Sequence, residues 1–138
     1  MYCAPLHTGH SVSTLILAPG PLDFAGLDVP DAVVILTGDG LAKARPYLPR
    51  LSPAATVLAF PEVADLETAA RLVVLDPAAG GTRLAKADQG LAACVAAVGV
   101  LGLVPTAALV QAAAESGRYA EELGKVVAAG LAMAAAAR

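Results

Sequence analysis

The sequence predicts an α/β fold: a mainly parallel sheet of about four strands, with flanking helices and a helical C-terminal half. Two observations carry this. Ala32–Thr37 and Ala55–Phe60 are apolar runs separated by a short helical stretch, the pattern of a strand–helix–strand unit with a parallel pair and a right-handed crossover. From Gln89 onward the chain becomes alanine-rich and reads as three consecutive helices.

Taken in order, Met1–His10 reads as irregular, and Ser11–Ala18 reads as a strand closed by Pro19-Gly20-Pro21. Leu22–Asp31 is a connector. Ala32–Thr37 is β-branched and continuous, as expected of a strand buried on both faces. Thr37-Gly38-Asp39-Gly40 is a turn, and Asp39 is the expected N-cap of a short helix presenting Leu41, Ala44 and Leu48. Pro46 should end or kink that helix. After the strand Ala55–Phe60, Pro61–Ala70 has room for a turn or two of helix. Arg71–Leu75 is a fourth strand, closed by Asp76-Pro77, and Ala78–Asp88 is a loop.

The first C-terminal helix is expected over Gln89–Leu103, apolar all round and the most buried element. The second starts at Pro105 or Thr106 and ends at Gly117. The third runs from Tyr119 to Ala137, with Glu121 and Lys125 as an i,i+4 pair.

Composition narrows the function. The 138 residues fit one domain, and 57% are hydrophobic, enough for a core. Net charge is −3 with no basic cluster, and there is no tryptophan, so nucleic acid is not an expected partner. The part of Gly90–Ala114 before Pro105 is too short to cross a bilayer, for which about 20 residues are needed, so no membrane span is expected. Residues 1–14 have no signal-peptide character, and Cys3 and Cys94 stand far apart, which fits a reducing, cytoplasmic setting.

The order of motifs resembles the gamma subunit, or gamma domain, of 2-oxoacid:ferredoxin oxidoreductases of the pyruvate/ketoisovalerate group. In that family a strand like PDVVVALN leads through a short helix to YLPRLKPGG and a second strand, TVIV. Here Pro30–Thr37, Tyr47–Pro53 and Ala55–Phe60 match in turn. A further strand, a loop and a long apolar helix ending in GLV correspond to Arg71–Pro77, Ala78–Asp88 and Gln89–Val104. Family members begin with a strand, a G-x-G-G-Q-G turn and a helix. This chain starts beyond them, in a segment where His7 stands at the family's arginine position and Pro5 at its acidic one. The resemblance therefore implies an N-terminally shortened gamma-type domain, inactive alone.

It also implies partners and cofactors: the other subunits of an oxidoreductase complex, or a homo-oligomer. Thiamine diphosphate and iron–sulfur clusters would lie in the rest of the complex, where coenzyme A is used. None is expected on this chain alone, and two cysteines cannot supply a four-thiolate cluster.

The candidate cofactor-binding residues are Thr37, Gly38 and Gly40, whose backbone N–H groups could face a phosphate at a helix start, and Arg83. Asp39 opposes the phosphate reading and favours simple capping. Lys86 accompanies Arg83 on the expected loop. Cys3, His7 and His10 have spacings that a metal accepts but lack a fourth ligand, so no metal site is assigned. Cys94 is expected to be inert packing, and no catalytic residue is assigned.

Overall fold

The computed structural model describes residues 2–4, 12–22, 28–81 and 83–137. His7 and His10 lie outside the described residues, as do Thr82 and the side chain of Cys3.

The strands are β1 (Tyr2–Ala4), β2 (Val12–Thr14), β3 (Ala32–Ile35), β4 (Thr56–Ala59) and β5 (Arg71–Val74). The helices are α1 (Gly38–Ala44), α2 (Lys86–Leu101), α3 (Thr106–Ala114) and α4 (Ala120–Ala136). The class is α/β with a helical C-terminal half. Among the described residues the parallel sheet has three strands rather than about four, in the order β3-β4-β5.

Among the described residues, the strand expected over Ser11–Ala18 contributes Val12–Thr14, which pairs antiparallel with Tyr2–Ala4 in a separate two-stranded sheet. Tyr2–Ala4 thus belongs to a strand within a segment that reads as irregular in sequence. Apolarity beyond Thr14 does not translate into burial: Leu15 is 56% and Leu17 62% exposed.

Within the parallel sheet, Ala32 stands opposite Thr56 and Thr56 opposite Arg71. Flanking bonds extend the ladders, with Thr56 N–H donating to Asp31 O at 3.0 Å and Leu75 N–H to Ala59 O at 2.8 Å. The central position falls to β4, whose four residues are all buried. The sequence assigns greatest burial to the first C-terminal helix, but α2 leaves Leu91 and Cys94 exposed. A helix has an outward side even where its sequence is apolar, whereas a central strand is covered on both faces and both edges. For the same reason β3, at the edge of this sheet, has only Ile35 fully buried.

Side chains of Ile35, Leu58, Val73 and Leu75 form the core with Ala92, Ala93 and Ala96 of α2 and Met133 of α4. The helices approach closely because small residues meet. A Cβ added at Gly130 would lie 2.6 Å from Ala92 O, and one at Gly99 would lie 3.3 Å from Ala134 Cβ. α2 begins at Lys86, three residues before the expected Gln89. It ends at Leu101, capped by Gly102 in the left-handed region at φ 65°, with Leu103 N–H donating to Val98 O. Gly117, also left-handed at φ 64°, opens a 3-10 turn over Gly117–Tyr119 that leads into α4. The helix expected within Pro61–Ala70 is a single 3-10 turn over Pro61–Val63.

Candidate functional site

Parallel strands put their carboxyl ends on one edge of the sheet, where ligands bind in open α/β folds. Three segments leave that edge here: the turn after β3, the 3-10 turn after β4, and the loop from Leu75 to α2. The start of α2 reaches the same region, since a Cβ at Gly90 would lie 3.9 Å from Leu36 Cδ1.

The turn after β3 holds Thr37, Gly38 and Gly40. Thr37 is extended, at φ −142° and ψ 162°, and its Oγ1 accepts from Gly40 N–H at 3.1 Å. Thr37 is therefore the N-cap of α1, and Asp39, expected in that role, sits in the first turn. A β-region hydroxyl residue immediately before the first helical residue satisfies an otherwise unpaired donor. Neither glycine is needed for backbone reasons: Gly38 and Gly40 have ordinary φ, and a Cβ at Gly38 meets nothing within 4 Å.

The Gly40 donor is already taken, α1 is only seven residues long, and the Asp39 carboxylate stands in its first turn. A negative side chain there complements the helix dipole and repels an anion.

The loop after β5 is built by different devices. Asp76 Oδ1 accepts from Ala78 N–H at 2.8 Å, which closes the turn at Pro77. Gly80 and Gly81 then take φ of 84° and 71°, a region that side-chain-bearing residues avoid. A Cβ at Gly80 would also lie 2.7 Å from Ala132 Cβ, so the loop tip rests against α4.

Behind the tip is an open cavity of about 410 Å³ lined by Pro77, Ala78, Gly81, Arg83, Leu84 and Gln89. Arg83 is exposed there. Gln89 donates through Nε2 to Leu84 O at 3.4 Å, which ties the loop to α2. Thr37, Gly38 and Gly40 do not line this cavity. The sequence-selected residues thus occupy two places on the sheet edge, and Gln89 and Leu84 join Arg83 without having been singled out. The early start of α2 is what brings Gln89 to the cavity, and it moves Lys86 from the expected loop into the first turn of the helix.

A second concavity, of about 290 Å³, lies between α3 and α4 and is lined only by apolar residues and glycine, among them Val110, Ala113, Gly124 and Leu131. It offers no charge to an anionic ligand.

Cys94 is exposed on α2, so the expectation of buried packing is corrected. The helix carries it outward, while Ala93 and Val95 beside it point inward. Partial desolvation nevertheless pushes its thiol above the ordinary value and disfavours the nucleophilic thiolate. Among the described residues, no group of three His, Cys, Asp or Glu side chains is placed to hold a metal ion. Among the same residues, no helix is long and apolar enough to cross a membrane.

No family model, characterised protein or solved structure matches the chain.

Proposed function

We propose that this chain is a gamma-type, non-catalytic subunit of a 2-oxoacid oxidoreductase complex. Such a complex decarboxylates a 2-oxoacid oxidatively, forms an acyl-CoA and reduces an iron–sulfur acceptor. The observation that carries the reading is the ordered set of motifs: Pro30–Thr37, Tyr47–Pro53 and Gly102-Leu103-Val104. Their local structures support it. The first runs into an edge strand of the parallel sheet, the second contains a 3-10 turn at Leu48–Arg50, and the third caps the long helix through a left-handed glycine.

In this role the chain packs beside the active site of its partners and gates coenzyme A without holding the cofactor itself. Thiamine diphosphate and the iron–sulfur clusters belong to the partner subunits, and the complex is cytoplasmic.

A second reading is a stand-alone nucleotide- or coenzyme A-binding or protein-interaction module without redox activity. One observation favours it: Val12, Leu15, Leu17 and Leu22 are each at least half exposed on one segment.

Affinity purification of the full chain from its native cell separates the two. A brown, cluster-bearing complex that turns over pyruvate or a related 2-oxoacid with coenzyme A and a viologen dye supports the subunit. A colourless homo-oligomer overturns it in favour of the module. Turnover by the purified chain without other subunits refutes both.

A further inference from the structure

We draw no further inference here: the strongest candidate, the apolar groove between α3 and α4 lined by Val110, Ala113, Gly124 and Leu131, is an unpartnered face, and nothing in the structure shows what covers it.

Discussion

Gly130 of α4 lies directly against Val95 of α2: a Cβ at Gly130 would stand 2.6 Å from Val95 Cβ and equally close to Ala92 O. Such distances are inside van der Waals contact, and one of the opposing atoms is backbone. The two helices meet there because position 130 has no side chain. Gly130→Ala should therefore destabilise the domain by about 1–3 kcal/mol, the usual range for overpacking a filled core. Gly124, on the same helix, has nothing within 4 Å of an added Cβ. Gly124→Ala should stabilise by about 0.5–1 kcal/mol through reduced backbone entropy. Chemical denaturation of both variants checks the pair, and equal effects would place the α2–α4 contact elsewhere.

The cap of α1 offers a second test. Thr37 Oγ1 holds the Gly40 N–H, so Thr37→Ala should cost about 1 kcal/mol, and Thr37→Ser should restore most of it. Asp39→Asn keeps the cap and should move stability less than Thr37→Ala. The reverse ranking in urea unfolding would return the capping role to Asp39.

The centre of stability should be β4. Leu58 is fully buried in the middle strand, so Leu58→Ala should lose about 2–5 kcal/mol. Val95→Asp should prevent folding, because a carboxylate would be placed in a site now 7% exposed, without a partner. Leu91→Ala, on the outward face of α2, should fall within about 0.5 kcal/mol of the parent, as surface substitutions do. Cooperative, parent-like unfolding of Val95→Asp would show that α2 is peripheral.

The exposed pair on α4 gives a pH dependence of known sign. Lys125 Nζ donates to Glu121 Oε1 at 2.8 Å. That hydrogen bond, and the charge behind it, hold the Glu121 carboxyl below its ordinary value of 4.5 and the Lys125 ammonium above its ordinary value of 10.5. The Glu121 contribution is present above 4.5 and is lost as pH falls through the lowered value. The Lys125 contribution is present below 10.5 and is lost as pH rises through the raised value. The melting temperatures of the parent and of Glu121→Gln should therefore differ most between those limits, and the difference should shrink with salt. A difference that persists below the lowered Glu121 value would rule out the ion pair as its source.

The parallel unit was legible because β-branched runs and a proline-broken helix leave few alternatives: β3 and β4 fall within two residues of their expected bounds, while α1 ends at Ala44 and Leu48, expected on the same helix, lies in a separate 3-10 turn. The i,i+4 pair was legible because helical spacing alone places Glu121 beside Lys125. Three features were not legible. Apolarity in Leu15-Ile16-Leu17 gives no information about whether the chain around it brings a partner strand. The cap fell to Thr37 because strand β3 ends at Ile35, two residues before Thr37, and a boundary shift of one or two residues decides which side chain precedes the first turn. The closeness of Gly130 to Val95 depends on two positions 35 residues apart in sequence, and no local pattern reports it. In the candidate site, sequence reasoning grouped Thr37, Gly38 and Gly40 with Arg83, but their separation into a capped turn and a distinct cavity depends on tertiary placement that no local pattern reports.

That separation sets the last prediction: the isolated chain should bind coenzyme A no more tightly than about millimolar. An adenosine phosphate needs several donors converging on it, or an arginine holding it in two-point contact. The Thr37–Gly40 turn has given one donor to its own cap and carries Asp39 in its first turn. Arg83 stands in another place, exposed at the mouth of the cavity lined by Leu84 and Gln89, and a single solvated charge contributes little. Calorimetry of the full chain with coenzyme A should accordingly give no sub-millimolar isotherm. Arg83→Gln and Asp39→Asn provide the internal contrast. If coenzyme A binds at micromolar affinity and Arg83→Gln abolishes it, the cavity after β5 is a competent phosphate site on its own. If Asp39→Asn alone raises affinity into the micromolar range, the turn after β3 is a phosphate cradle held closed by one carboxylate. Either result overturns the prediction, and the two assign the site to different strands of the sheet.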